Sequence, residues 1–179
     1  DSVARSAADH AAWLLPLDAA THDRLVPELA GSTQIELFTP GRAVPTLGSP
    51  IRKQLLRTAA AREPAEGDLL LVFHARAPDR IRSASLSAAA TVRRVRQVAA
   101  LPELLTLTAG REVPELAQLH TLLQGGPVSV FDLHWLGRLA RPVPLATLIE
   151  RDLISTTPRA LLRLEPAAFQ RLAPGLTLA

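Results

Sequence analysis

The stretch from Gly67 to Ala75 constrains the fold more than any other part of this sequence. It reads Gly-Asp-Leu-Leu-Leu-Val-Phe-His-Ala, a turn signal followed at once by an apolar run. An apolar run of this length beside turn residues predicts a buried strand. The break at Pro78-Asp79 and the long segment from Ile81 to Val98 predict a turn and a second, half-exposed strand. We expect these two strands to organise the sheet.

Composition supports a folded chain with an aliphatic core. The chain has 179 residues, 47% of them hydrophobic and only 3% aromatic, with no Tyr. Cys is absent, which excludes disulfides, thiolate metal sites and thiol nucleophiles. No apolar run approaches the roughly 20 residues of a membrane helix, and no signal-peptide pattern opens the chain. We therefore expect a cytoplasmic protein without a membrane partner.

The positive charge comes almost entirely from arginine. Of the 20 basic residues only Lys53 is a lysine, and the formal net charge is +3. A guanidinium offers a planar fork of donors that matches phosphate and carboxylate, whereas a lysine surface mainly provides solubility. The alternative is that GC-rich coding has replaced Lys by Arg without a functional reason.

The periodicity of apolar residues predicts an α+β domain with a small, curved, mostly antiparallel sheet that closes into a barrel with flanking helices. We expect residues 1–15 to form an N-terminal helix. Because no Met begins the chain, we also expect this helix to serve as a linker from a missing upstream domain. Residues 16–179 are expected to form the barrel domain. Further helices are predicted over residues 18–29, 49–57, 101–107, 113–123, 144–153 and 165–172. Further strands are predicted over residues 35–38, 127–135 and 160–164.

The segment after Thr91 carries the densest charge. It reads Val92-Arg93-Arg94-Val95-Arg96-Gln97-Val98. Regular alternation on a strand would send Val92, Arg94 and Arg96 to one side and Arg93, Val95 and Gln97 to the other. Both sides would then carry charge, which predicts a strand that leaves the core.

Several blocks of the sequence resemble, in their order, a bacterial PUA-like module related to the EVE and ASCH families. The blocks are Pro16 with residues 22–28, Ser-Pro-Ile-Arg-Lys at 49–53, Gly-Asp-Leu-Leu-Leu-Val-Phe at 67–73, Arg111 with Val113, and Val-Ser-Val-Phe at 128–131. Such modules are often found downstream of GNAT-type acetyltransferase domains. The resemblance implies a small, mostly antiparallel barrel that binds RNA or modified bases in DNA, with an acetyltransferase domain as a possible partner.

The leading functional hypothesis is a non-catalytic module that binds nucleic acid through a stripe of basic residues. Contacts of this kind hold phosphates and make affinity fall with salt without reading sequence. A solvated basic face without a ligand is the alternative. The residues assigned to the stripe are Arg52, Lys53, Arg76, Arg82, Arg93, Arg94 and Arg96.

Two other classes of function remain open. Asp132 and His134 are two residues apart on a predicted strand and share a face, and His74 would join them if its strand were a neighbour. Such a group would suit a hydrolase-like or metal-dependent enzyme. The other class is a protein-interaction module whose arginines pair with an acidic partner. Phosphate-loop, dinucleotide and acetyl-CoA motifs are absent, so we predict no cofactor and no acetyl transfer by this chain.

Overall fold

The computed structural model describes residues 10–26, 52–77, 83–108 and 116–179. They form an α+β fold with one six-stranded sheet and five α-helices, as the sequence predicts in outline. The strands are β1 (Ala12–Leu17), β2 (Arg52–Thr58), β3 (Leu69–His74), β4 (Ser85–Val98), β5 (Val128–Pro144) and β6 (Leu162–Arg163). The helices are α1 (Ala19–Leu25), α2 (Leu101–Thr108), α3 (Leu116–Gln124), α4 (Leu145–Glu150) and α5 (Pro166–Leu172), and a 3₁₀ turn follows at Ala173–Gly175.

The sheet has the strand order β2-β5-β4-β3-β1-β6. The pairing of β1 with β3 is parallel, and the other pairings between these strands are antiparallel. The sheet is therefore mostly antiparallel, as predicted. It is not closed into a barrel, because β2 and β6 lie at opposite edges and neither pairs with the other among the described residues. With only two residues, β6 offers too little main chain to continue the sheet into a closed ring.

The predicted buried strand is confirmed. β3 lies between β4 and β1, and all six of its residues are buried. Its side chains alternate between two cores, with Leu70 and Val72 on the α1 side and Leu71 and Phe73 on the other. An apolar residue is required at every position because both faces of the strand are covered.

Asp68 fixes the start of β3. Its carboxylate accepts hydrogen bonds from the Ala11 amide at 2.9 Å, the Trp13 indole Nε1 at 2.8 Å and the Ala65 amide at 2.9 Å. The preceding Gly67 has a φ of +92°, and the imidazole of His10 occupies the space that a Cβ would need. Gly67 and Asp68, the first two residues of the Gly-Asp-Leu-Leu-Leu block, therefore hold the start of β3 against β1.

Two predicted helices are strands. The helix expected through Trp13 to Leu15 is wrong, since β1 is buried at nearly every position and crosses the predicted domain boundary at residue 16. Pro16 is tolerated because β6 pairs only with Trp13 and Leu14, so Pro16 has a strand on one side only. The helix predicted over residues 49–57 is also wrong, because residues 52–58 form β2.

The remaining predicted elements are confirmed where they are described, with shifted ends. α1 to α5 and β3 to β6 each overlap a prediction, although β5 continues nine residues beyond Trp135 and ends at Pro144. The strand predicted over residues 35–38 lies outside the described residues. No helix in the described part of the chain is long and apolar enough to cross a membrane.

Helices cover both faces of the sheet. α1 packs on one face through Leu25 against a cluster that includes Trp13, Phe131 and Trp135. α4 and α5 cover the opposite face at the other end of β5. α2 and α3 pack through Leu104 and Leu119 on Val98, Val128 and Val130. The last residues of β4 thus lie beside α2.

Candidate nucleic-acid interface

The second half of β4 extends beyond the end of its neighbour β3. The β3–β4 pairing runs from His74↔Ser85 to Leu69↔Thr91, whereas the β4–β5 pairing continues to Val98↔Val128. The amide of Gly67 still donates to the Val92 carbonyl at 2.8 Å. Beyond Val92, β4 has a strand on its β5 side only, within the ranges that the structure describes.

A register shift between Val92 and Arg94 changes which way the charged residues point. Val92 and Val95 both pack with the cluster under α1, although they are three residues apart. Arg93 is the extra residue of a β-bulge, and an extra residue reverses the alternation that follows it. The predicted grouping of Val92 with Arg94 and Arg96 is therefore wrong, because Arg94 and Arg96 lie on the face opposite Val92.

The three arginines of this segment are exposed. Arg93, Arg94 and Arg96 are all open to solvent, and Val95 between them is half-buried. Arg94 lies opposite Asp132 in the register, yet the Asp132 carboxylate accepts a hydrogen bond from Gln54 Nε2 at 3.1 Å. None of the three arginines forms an ion pair within 4.0 Å with another described residue.

Arg52 joins the same face from the other side of β5. It is exposed and lies opposite His134, which in turn lies opposite Thr91 of β4. Residues directly opposite each other in an antiparallel pair project to the same face. Arg52 therefore projects from the same face of the sheet as Arg94 and Arg96, which is the face on which α2 packs against Val130.

Lys53 projects to the other face and is buried. Its ammonium donates to the carbonyl of Leu25 at the end of α1 and lies 4.0 Å from the centroid of the Trp135 ring. The side chain is thus enclosed between α1 and the sheet. Lys53 therefore does not join Arg52 on an exposed surface, because residues 52–58 form a strand in which Lys53 and Leu55 are buried.

The other predicted stripe residues are not gathered at this end. Arg76 is exposed just beyond β3, at the end where His74 pairs with Ser85, and Ser85 is the first residue of β4. Arg76 therefore lies near the end of β4 that is opposite to Arg94 and Arg96. Arg82 lies outside the described residues. The candidate interface, as the structure describes it, consists of Arg52, Arg93, Arg94 and Arg96.

His74 does not meet Asp132 and His134. Its strand β3 is separated from β5 by β4, and it lies across β4 from Pro144, whereas His134 lies across β4 from Leu69. The condition for a shared site, that the two strands are neighbours, is not met. Within the described ranges, no three His, Cys, Asp or Glu side chains are close enough to hold a metal ion.

His74 belongs instead to a buried polar cluster that the sequence did not reveal. Its ring stacks on that of His22 with centroids 4.0 Å apart and 9° between the planes. His22 Nε2 lies 2.8 Å from Ser87 Oγ, and Ser87 also donates to the Val72 carbonyl at 3.4 Å. The cluster connects α1 to β3 and β4. The sequence pattern places His22 on a helix but contains no feature that identifies His74 or Ser87 as its partners.

A second polar network closes the end of the sheet near the candidate interface. Glu63 accepts hydrogen bonds from Ser129 Oγ at 2.5 Å and from Gln97 Nε2 at 3.2 Å. Burial lowers the pKa of the Arg57 guanidinium, and the nearby Glu63 carboxylate partly opposes this change. The Glu63 carboxylate and the Arg57 guanidinium thus lie near Gln97, on the opposite face from Arg94 and Arg96.

Comparison with known proteins supports the fold. No protein-family model and no curated protein matches the chain. Among solved structures, the ASCH protein of Zymomonas mobilis matches with a TM-score of 0.62 and 14% identity over 93% of this chain and 96% of that one. Its serine-to-alanine variant matches with a TM-score of 0.64 and 16% identity over 94% and 99%. Its tyrosine-to-phenylalanine variant matches with a TM-score of 0.61 and 17% identity over 93% and 99%.

These similarities extend over nearly the full length of both chains. At identities below one fifth, they establish the fold, and they carry no residue roles from the Zymomonas protein to this chain. The chain therefore has the ASCH fold, and the resemblance to PUA-like, ASCH-related modules is confirmed at that level.

Proposed function

We propose that this chain is a non-catalytic module that binds nucleic acid, with RNA preferred over DNA that carries modified bases. The binding surface comprises Arg52, Arg93, Arg94 and Arg96. The observation that carries the proposal is the group of exposed guanidinium groups on the projecting half of β4, none of which is paired with a carboxylate of the described residues.

The chemistry of these side chains suits phosphate. A guanidinium forms two parallel hydrogen bonds to a phosphate, and an unpaired one has no internal salt bridge to lose on binding. Arg52 and Arg94 flank β5 on one face, so their main chains are separated by about two strand spacings, roughly 10 Å. Such a surface contacts the backbone of a nucleic acid and holds it in register without reading its bases.

The preference for RNA rests on the PUA-like fold, whose members commonly bind RNA. We further propose that the module directs an acetyltransferase to its target, as the resemblance implies. In that role it supplies affinity for the nucleic acid while another domain supplies the chemistry.

Fluorescence-anisotropy titrations of short RNA and DNA over a salt series test this proposal. The association constant should fall as salt is added. A plot of its logarithm against the logarithm of the salt concentration should have a slope of about −0.7 to −0.9 for each phosphate contact. The double variant Arg94→Gln and Arg96→Gln should reduce both the affinity and that slope. The matched control is Arg138→Gln with Arg141→Gln, because it removes two exposed guanidinium groups from β5 in a different part of the sheet.

Two results would contradict the proposal. One is equal affinity of the double variant and the wild type for every nucleic acid tested. The other is the absence of nucleic-acid binding together with arginine-dependent binding of an acidic peptide such as polyglutamate, which would indicate a protein-interaction surface instead.

A further inference from the structure

Two buried histidines, His22 and His74, stack on each other beneath α1, on the face of the sheet opposite the candidate interface. We infer that this histidine pair controls the attachment of α1: it holds α1 on the sheet at neutral pH and releases α1 in mild acid. Because the pair and the exposed arginines lie on opposite faces, this behaviour does not depend on nucleic-acid binding.

The geometry of the histidine pair opposes a charge on both rings. The ring centroids are 4.0 Å apart, and the planes differ by 9°. The side chains of His22 and His74 are only 2% and 5% exposed. Two imidazolium groups in this arrangement would place like charges face to face, where the protein interior screens them poorly. The two rings therefore take up protons as one unit.

On α1, one carboxylate faces the histidine pair. Asp23 Oδ1 lies 3.8 Å from His22 Nδ1, so it favours a proton on His22. Asp18 instead caps the start of α1 through Thr21, and Arg24 is exposed. A single half-buried carboxylate compensates one imidazolium and leaves a charge on the other ring uncompensated.

The neighbouring strands do not supply a second negative charge in the part of the chain that the structure describes. The other residues of β3 and those of the buried half of β4 are uncharged, including Ser87, whose Oγ lies 2.8 Å from His22 Nε2. On β2, the Lys53 ammonium contacts the carbonyl of Leu25, three residues after His22. These surroundings allow one proton on the pair and oppose a second.

The sign of the pH dependence follows from the number of protons bound. In the unfolded chain each of the two histidines takes up a proton below about pH 6.5. The folded pair takes up one, so the stabilisation is complete above about pH 6.5 and is lost as the pH falls below it. One excluded proton raises the equilibrium constant of opening about tenfold per pH unit, or about thirtyfold at about pH 5.

The loss should affect α1 before the rest of the fold. α1 has only seven residues, and a helix of that length is not stable in water without packing. β3 and β4 are held by their pairing from His74↔Ser85 to Leu69↔Thr91. Release of α1 would uncover Lys53 and Trp135, whose ring centroid lies 4.0 Å from the ammonium.

Hydrogen exchange of the full chain at about pH 7.5 and about pH 5 tests this inference, with rates corrected for intrinsic exchange. The amides of His22 and Val26, which bond within α1, should lose about thirtyfold in protection at the lower pH. The amides of α3 should keep theirs. Asp18 does not contribute in this range, because hydrogen bonds lower its pKa below the ordinary value of a carboxyl.

Two variants test whether the pair is responsible. His22→Gln and His74→Phe each leave one imidazole without a charged neighbour, so the loss of α1 protection in acid should be smaller than in the wild type. His120→Gln is the matched control, because it removes an exposed histidine from α3 and should keep the wild-type loss.

Three results would overturn the inference. They are equal protection of α1 at both pH values, an equal loss in α1 and α3, and a full wild-type loss in both variants. If a variant does not fold at neutral pH, an NMR titration of the histidine rings in the wild type decides. Uptake of one proton by the folded pair supports the inference, and uptake of two overturns it.

Discussion

The two halves of β4 have the same backbone but opposite surroundings. From Ser85 to Ala90 every residue is buried, and the side chains are mostly Ala and Ser. From Arg93 to Gln97 four of the five residues are exposed, and three of them are Arg. The first half has β3 on one side and β5 on the other, whereas the second half keeps only β5.

The contrast shows that burial along a strand is set by its neighbours in the sheet. Ala88 and Ala90 are small because α1 and the side chains of β3 and β5 fill the space around them. β3 extends only as far as Leu69, which lies opposite Thr91 of β4. Beyond that point β4 has no neighbour on this side among the described strands, so its edge is open. Charged residues on such an edge discourage pairing with other chains, and they also supply the donors of the proposed interface.

The largest effect is expected from placing an arginine in the buried half. Ala90 is fully buried between Leu70 and Trp135, so the guanidinium of Ala90→Arg would have neither space nor a counter-ion. A buried unpaired charge costs several kcal/mol, about as much as the whole stability of many domains. We expect the variant to be largely unfolded by circular dichroism and urea titration.

Arg94→Ala is the matched change in the exposed half. An exposed side chain with no ion pair to another described residue contributes little, so the free energy of unfolding of Arg94→Ala should differ from that of the wild type by about 0.5 kcal/mol or less. A well-folded Ala90→Arg protein, or a strongly destabilised Arg94→Ala protein, would contradict the distinction between the two halves.

A smaller effect is expected from Asp68, which fixes where β3 begins and therefore where β4 becomes an edge. Asp68→Ala leaves three donors without their acceptor, one of them the buried indole of Trp13. At 1–3 kcal/mol for each buried unsatisfied group, partly relieved by water, the loss should be about 3 kcal/mol.

Asp68→Asn refines this prediction. The amide keeps one acceptor oxygen and presents a donor in place of the other, so its cost should lie between those of the wild type and Asp68→Ala. Urea denaturation of the three proteins measures the order. Equal stabilities for Asp68→Ala and the wild type would show that the carboxylate does not hold β1 to β3.

An effect smaller than that of Asp68→Ala is expected in α1, which covers the buried half of β4. Asp18 caps this helix, accepting from the Thr21 amide and the Thr21 hydroxyl at 2.9 Å each. Burial tends to raise the pKa of Asp18, but these hydrogen bonds outweigh it and lower the pKa below its usual value. Asp18→Ala should cost about 1 kcal/mol at neutral pH.

The pH dependence of that cost has a definite sign. Because the pKa is lower in the folded than in the unfolded chain, the carboxylate stabilises the fold fully above the unfolded value of about 3.9. The benefit disappears as the pH falls through the folded pKa, so wild type and Asp18→Ala should converge in acid. Asp18→Asn caps without titrating, and its stability difference from Asp18→Ala should persist across that range. A constant gap between wild type and Asp18→Ala would be inconsistent with a lowered pKa.

Local patterns predicted the parts of the fold that depend on near neighbours in sequence. The apolar run after Gly67-Asp68 predicted β3, and the strand predicted over residues 127–135 matches the first half of β5. β1 and β2 were missed because their apolar residues also fit a helical repeat. In β1 a continuous apolar stretch reflects cover on both faces, which periodicity does not distinguish from a short buried helix.

The candidate site was predicted by residue type but not by placement. Arg94 and Arg96 stood out as part of a charged strand, and their exposure agrees with that prediction. The separation of Lys53 from Arg52 follows from a strand replacing a helix, which turns neighbouring residues to opposite faces. The pairing of His74 with His22 required α1 to fold over β3, a contact between residues far apart in the chain.

The sequence by itself determined an α+β chain with a fully buried strand, an aliphatic core and a strand rich in arginine. The tertiary structure alone decided the strand order, the open sheet, the bulge at Arg93 and the point where β3 stops covering β4. These features depend on the pairing of residues distant in sequence, and the energy of such pairings is not encoded in any local period. Whether an arginine of β4 meets solvent or a neighbouring strand is decided by that pairing.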